Sequence, residues 1–352
     1  MELDNIVYLD NASTTKVDKR VMEVMLPYFD EIYGNASSNH SFGKMAKTAI
    51  ENARHQTAAV INANSEEIIF TSGATESINL ALKGYLEANF EKGNHIITVK
   101  TEHKAVLATC EYLEERGIEV TYLDVDKHGF ISLENLRKAI RPDTALISIM
   151  YINNETGVIQ PIEQIGKIAR ENNIVFFCDA TQAVGKIPVN VIEDKIDMLC
   201  FSGHKLNGPK GIGVLYKRKD INLIPLLHGG GQENGLRAGT YNTPLIVGLG
   251  KACELVANEF TQKNRQIISE RKVFEDAIEE NKIGFVCFKD SKRAPHISCI
   301  QLNNEEAEKF LLLNSEKFIA SNGSACNAAL IEVSHVYKEI FEEPHKIIRI
   351  SF

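Results

Sequence analysis

The chain has 352 residues, 44% hydrophobic and 24% charged, and its 39 Lys and Arg against 47 Asp and Glu give a net charge of −8. That length exceeds one compact core, and the composition excludes a disordered, collagen-like or disulfide-scaffolded protein. The acidic balance argues against direct nucleic-acid binding, which needs clustered Lys and Arg, and the densest basic run, Lys217-Arg218-Lys219, ends at Asp220.

The first residues, MELDNIVYLD, carry acids where a secretory signal carries bases, and no apolar stretch approaches the ~20 residues of a membrane span. A cytoplasmic protein with no membrane contact is therefore expected. The seven cysteines form no Cys-x-x-Cys pair, so a zinc ribbon or thioredoxin motif is not expected, and no metal site is predicted. Reduced thiols are expected, one of them reactive.

From about residue 45 to 255, short apolar runs alternate with helical patterns. Glu67 to Thr71 predicts a strand and Ala74 to Ala88 a helix. His95 to Lys100 predicts a strand and Lys104 to Arg116 a helix. Further strands are predicted at Val120 to Leu123, Thr144 to Tyr151, Ile174 to Cys178, Met198 to Ser202 and Gly213 to Tyr216. This alternation predicts an α/β fold with a mostly parallel sheet covered by helices on both faces. Asn242 to Glu279 predicts one long helix that crosses between domains. Strands at Phe285 to Phe288 and His296 to Leu302, a helix at Glu305 to Leu313, and strands at Phe318 to Ala320 and Ile347 to Phe352 follow. They predict a smaller α/β domain completed by the first dozen residues. The expected division is 15–255 for a large domain, and 1–14 with 256–352 for a small one.

Ligands in parallel α/β sheets sit beyond the carboxyl ends of the strands, so the residues after each strand carry the functional signal. The first strand is followed by Thr71-Ser72-Gly73-Ala74-Thr75-Glu76-Ser77, a helix start able to hold an anion, although a plain cap reads the same way. The spacing is not that of a Walker loop, and Gly208 to Gly213 does not have the dinucleotide-binding spacing. Later strands end at His103, at Asp179 with Gln182 three residues on, and at Ser202-Gly203-His204-Lys205. Each has a bland alternative: a loop histidine, an Asp cap, a surface lysine. Together they describe one cavity with an anion cradle, a flat imidazole, a buried acid and an amine. Pyridoxal 5'-phosphate requires that set: the cradle takes the phosphate, the amine forms a Schiff base, and the acid keeps the pyridinium nitrogen protonated.

On these residues the sequence resembles the NifS/IscS-type cysteine desulfurases, in the fold-type I, class V aminotransferase group of pyridoxal-phosphate enzymes. The likeness starts at Tyr8-Leu-Asp-Asn-Ala-Ser-Thr-Thr15 and runs through Gly34 to His40, Thr71 to Ser77, Thr101 to Lys104 and Asn153-Asn-Glu-Thr-Gly157. It continues through Asp179 to Gln182, Ser202 to Lys205, His228 to Gly231, Arg237 to Thr240 and Gly323-Ser-Ala-Cys326.

The resemblance implies that Lys205 carries the cofactor, Asp179 pairs with the pyridine nitrogen, Gln182 bonds the phenolic oxygen and His103 stacks on the ring. It implies that Ala74, Thr75, Ser202 and His204 hold the phosphate, with Thr240 from the other subunit of a homodimer. Asn154 would lie near the ring and the substrate carboxylate, and Arg349 would grip that carboxylate. Cys326 would be the nucleophile, taking sulfur from L-cysteine as a persulfide and releasing L-alanine for a sulfur-acceptor protein such as an iron–sulfur scaffold or a thiolation relay. Its small neighbours, Gly323 to Ala325 and Asn327 to Ala329, independently suit an exposed thiol, whereas the other six cysteines lie in apolar contexts and are expected in the core. A selenocysteine lyase or another class V enzyme, and a catalytically weak sulfur-transfer subunit, are the alternatives.

Three departures from the family pattern stand out. Ala36 stands where members often have Pro, and Asn234 where many have Arg. The sequence given stops three residues after Arg349, shortening the small domain and leaving a last strand expected to fray unless paired on both sides.

Overall fold

The computed structural model describes residues 6–323 and 333–352. In chain order the elements are β1 (Val7–Tyr8), α1 (Lys19–Met25), α2 (Pro27–Asp30), α3 (Ser41–Ala59), β2 (Ile68–Thr71), α4 (Ala74–Ala88), β3 (His95–Val99) and α5 (Lys104–Glu114). They continue with β4 (Glu119–Leu123), α6 (Leu133–Ala139), β5 (Thr144–Ser148), α7 (Ile162–Glu171), β6 (Val175–Asp179), β7 (Met198–Ser202), β8 (Gly213–Lys217) and α8 (Thr243–Glu280). The last are β9 (Gly284–Val286), β10 (Ile297–Leu302), α9 (Ala307–Leu313), β11 (Phe318–Ile319), α10 (His335–Ile340) and β12 (Ile347–Ser351).

Among the described residues the main sheet has seven strands in the order β2-β8-β7-β6-β5-β3-β4. All pairings are parallel except those of β8, which runs against β2 and β7. Except for the edge strand β4, the strands are buried on both faces, and alternation sorts their side chains into two cores. Ile68, Phe70, Ile97, Val99, Phe176, Cys178, Leu199 and Phe201 join one core. Ile69, Ile96, Val175, Phe177, Met198 and Cys200 join the other.

Helix α8 is capped by Asn242, whose side chain accepts from Leu245 N, and has Pro244 in its first turn, where a missing N–H costs nothing. Its first half lies in the main core through Ile246, Leu249 and Cys253. Its far end reaches a separate core through Ile278, which packs with Ile300, Ile348 and Ile350.

That second core rests on a three-stranded antiparallel sheet, β12-β10-β9. The last strand, expected to fray unless paired on both sides, is so paired. Strand β12 pairs along its whole length with β10. On its other flank it bridges to Ser321 and Asp10, with Arg349 N donating to Ser321 O at 2.7 Å and Ser351 N to Leu9 O at 2.8 Å. The strand is thus flanked on both sides, and its five residues are buried.

Candidate functional site

The carboxyl ends of β2, β6 and β7 open into a cavity of about 680 Å3. Two glycines shape its floor. A Cβ on Gly213 would lie 2.5 Å from Gly73 Cα, so the start of β8 can pack beneath the start of α4 only without a side chain. A Cβ on Gly73 would meet only Ser202 Oγ, at 3.9 Å, so the space above this helix start is open. The N–H groups of the first helical turn have no intrahelical acceptors and carry the positive end of the dipole. Helix α4 begins there with Ala74 and Thr75 on the cavity wall. Glu76 reaches back to Ser72 N at 2.7 Å and is held by Arg237 at 3.0 Å, which fixes the turn.

Asp179 ends the buried strand β6, accepts from Thr181 N at 2.9 Å, and lines the cavity. Gln182 follows, donating to Ala12 O at 2.8 Å, while its own Oε1 accepts from His296 Nε2 at 3.1 Å. His103 caps α5 by accepting Ala105 N on Nδ1 at 3.1 Å, so the neutral ring carries its proton on Nε2. Burial holds His103 below the usual imidazole range, with Asp179 opposing the shift. His204 is pushed down to about 4 by burial and by the nearby Lys205 and Lys210. Both imidazoles are therefore neutral near pH 7, and His204 meets Thr14 Oγ1 at 3.2 Å.

Lys205 follows β7 at the end of a short turn. Its Nζ donates to Ala12 O at 2.5 Å and Ser13 O at 2.6 Å. Arg349, buried on β12, donates from Nη1 to Asn154 O at 2.9 Å, and from Nη2 to Asp10 Oδ1 and Ser13 Oγ, each at 2.6 Å. The segment from Asp10 to Thr14 thus touches Gln182, His204, Lys205 and Arg349.

The structure gathers Ala74, Thr75, His103, Asn154, Asp179, Gln182, Ser202, His204, Lys205 and Arg349 around one cavity. Thr240 is exposed and lies outside this cavity. Cys326 lies outside the described residues. The other six cysteines are buried, as expected. Ala36 is buried in the wall of a small side cavity with Gly231 and Tyr241, and Asn234 is exposed with a φ of +55°. Sequence reasoning missed the carbonyls of Ala12 and Ser13, whose contacts no local motif reveals. It also missed His296 behind Gln182, Glu155 and His335. The one available signal was a histidine opening a strand, His296 before β10. Among the described residues no cluster suits a metal ion and no helix is long and apolar enough to cross a membrane.

These residues fit a phosphate-bearing pyridine aldehyde. The open helix start suits the phosphate, and a carboxylate on a buried strand end suits a protonated ring nitrogen. A neutral imidazole suits the ring face, and the lysine amine sits past the carboxyl end of the neighbouring parallel strand.

The profile of the Aminotransferase class-V family matches residues 7–352. The chain is 49% identical over 343 residues to Cysteine desulfurase IscS of Methanosarcina thermophila, covering 97% of this chain and 85% of that one. It is 46% identical to Putative cysteine desulfurase IscS 1 of Bacillus subtilis (strain 168), covering 98% and 93%. Among solved structures, a NifS-like protein superposes with a TM-score of 0.91 at 38% identity, covering 99% of this chain and 93% of that one. SspA in complex with cysteine superposes with a TM-score of 0.88 at 40% identity, covering 98% of both. Matched over residues 7–352 by that family's profile and over nearly its whole length by these relatives, the chain belongs to the class-V aminotransferase family, in its cysteine desulfurase branch.

Proposed function

We propose that this protein is a pyridoxal-phosphate-dependent cysteine desulfurase that converts L-cysteine to L-alanine and keeps the sulfur as a persulfide on Cys326. The observation that carries this reading is the convergence of Lys205, Asp179, His103 and the α4 start on one cavity that also holds Arg349. Pyridoxal 5'-phosphate supplies, when bound, an electron sink for the pair released as the Cα proton leaves. The phosphate is held by Ala74, Thr75, Ser202 and His204, the ring nitrogen by Asp179 and the phenolic oxygen by Gln182. Arg349 holds the substrate carboxylate beside Asn154, which fixes Cα near Lys205.

Lys205 takes the Cα proton, and its two carbonyl contacts give the ammonium form a resting place. His103, neutral at pH 7 with its proton on Nε2, donates that proton and takes one back there once Nε2 is bare. The Cys326 thiolate attacks the substrate sulfur, the carbon–sulfur bond breaks, and the electron pair returns to the substrate carbon as alanine forms. An acceptor protein's thiolate then attacks the outer sulfur, the S–S bond breaks, and Cys326 leaves as its thiolate.

A homodimer completes the reading. Met22, Leu26, Phe29, Tyr33, Phe42 and Met45 of α1, α2 and the loop and helix that follow are exposed apolar side chains close together in sequence, as at an interface between subunits. Thr240, exposed and outside its own chain's cavity, would then serve a second copy. Earlier in the same loop Arg54 grips Glu233 through two bonds of 2.8 Å in a buried pair, and Glu233 also accepts from Phe70 N.

The direct test is chemical. The purified protein should be yellow, and borohydride reduction should fix the cofactor to the peptide carrying Lys205. Brief exposure to cysteine without reductant should add one sulfur atom to the Cys326 peptide, and Cys326→Ser should keep the cofactor yet release no sulfide. Label on Lys210 or Lys104, or sulfur on another cysteine, would refute the assignments.

A further inference from the structure

The guanidinium of Arg349 is already spoken for in a way that constrains how it can receive a substrate. An Arg side chain offers two two-pronged edges, Nε with Nη2 and Nη1 with Nη2, so every bidentate grip on a carboxylate uses an Nη2 N–H. Both Nη2 donors are engaged, one on Asp10 Oδ1 and one on Ser13 Oγ. Arg349 Nε, by contrast, is buried with no partner among the described residues. A carboxylate taking the Nε–Nη2 edge would satisfy that orphan, but it must first take an Nη2 donor from Asp10 or Ser13.

The two holders are not equivalent. Ser13 lines the cavity, and Asp10 does not. Asp10 lies behind the wall, on the segment bridged to β12 at Ser351, and it also accepts the Ser13 hydroxyl at 2.9 Å. Asp10 therefore anchors the guanidinium from behind, and Ser13 sits between the guanidinium and the cavity.

We propose that Ser13 is a placeholder for a substrate carboxylate oxygen on Arg349: its hydroxyl occupies the cavity-facing donor until an amino acid displaces it, and so limits affinity for the substrate. This rests on the reading of Arg349 as the carboxylate clamp. Both Ser13 and Asp10 act through Arg349 and are positioning residues. A donor left without its placeholder is unpaired in the free enzyme, and a ligand carboxylate becomes its best partner. A guanidinium left without its rear anchor loses its orientation instead. The two substitutions therefore move affinity in opposite directions, which a merely structural role for the segment does not predict.

The test is a spectral titration of the holoenzyme with L-alanine, which has the carboxylate and no thiol, together with KM and kcat for cysteine. In Ser13→Ala the alanine dissociation constant and the KM for cysteine should fall about three- to ten-fold, the net scale of one ordinary hydrogen bond exchanged for another. In Asp10→Ala both should rise by at least that factor. Cofactor content should stay at the wild-type level in each, because the carbonyls of Ala12 and Ser13 that hold Lys205 are main-chain groups. Ser13→Thr, which keeps the hydroxyl, should restore wild-type affinity. An unchanged or weakened affinity in Ser13→Ala would overturn the placeholder. Arg349→Ala separates the two layers: if it leaves alanine binding unchanged, the clamp reading itself fails, and if it abolishes binding while Ser13→Ala has no effect, only the placeholder fails.

Discussion

Glu155 is an acid whose ionisation the fold opposes. Burial pushes its carboxyl up to about 7, only partly offset by Ser334, Arg349 and Lys104. Its Oε2 lies buried with no partner among the described residues. An acid raised above its unfolded value stabilises the fold while protonated. That contribution is complete below its ordinary 4.5 and is lost as the pH rises through about 7. Glu155→Gln keeps the neutral form at every pH. The variant should therefore exceed the wild type in stability above pH 7 by on the order of 3 kcal/mol, with the gain shrinking towards zero near pH 4.5. Urea midpoints of both proteins at pH 5 and pH 8 check this, and equal midpoints at pH 8 would contradict it. The cysteines make a second residue-scale case. Burial pushes Cys110 and Cys253 up to about 12, and Cys178, Cys200 and Cys299 well above the ordinary thiol. Only a thiolate reacts readily, so iodoacetamide applied to the native protein should spare these five and label Cys326. Mass spectrometry of the digested protein would detect any other pattern.

At the scale of elements, the start of α4 depends on a glycine that carries no chemistry. A methyl on Gly213 would strike Gly73 and Ala74 main chain at 2.5–3.0 Å. Gly213→Ala must push β8 away from the helix start, at a cost of roughly 1–3 kcal/mol. It should lose cofactor before it loses its fold. Absorbance of bound cofactor alongside far-ultraviolet circular dichroism would separate the two, and a variant with full cofactor occupancy would refute the packing role. The main elements were legible for a physical reason. Strands buried on both faces read as continuous apolar runs, so β3, β5, β6 and β7 stand out in the sequence, and α4 and β7 have the predicted bounds. Helix α8 was equally plain because Asn242 and Pro244 mark its start. The Asp10 to Thr14 segment was legible only as a family motif. Its residues are small and polar with no period, and its partners lie far along the chain, as Asp10 and Arg349 do. His296 was hidden for the same reason: a histidine opening a strand gives no sign that it will face Gln182.

For the whole molecule, the last strand shows how distant parts of the chain close the site. Strand β12 carries Arg349 between β10 and Ser321 and bridges to Asp10 at Ser351, so segments far apart in the chain complete one wall together. The exposed apolar face on α1, α2 and α3 asks for a partner in the same way. Phe29 and Tyr33 are 61% and 71% exposed, and Tyr33 meets the Phe42 ring at a centroid distance of 5.7 Å. Covering such side chains stabilises an assembly by about 25 cal/mol per Å2 of apolar surface, before the cost of association. A charge placed there must be desolvated on assembly but remains in water in the monomer, so it acts on assembly and not on the fold. Tyr33→Asp combined with Phe29→Asp should therefore give a folded monomer. If Thr240 serves the partner's phosphate, that monomer should also hold its cofactor more weakly, although none of its own cavity residues has changed. Light scattering gives the mass, and dialysis followed by absorbance gives the cofactor retained. A dimer that persists would show that this face is not the interface. A monomer that keeps its cofactor as tightly as the wild type would show that each cavity is complete within one chain, leaving Thr240 without the proposed role.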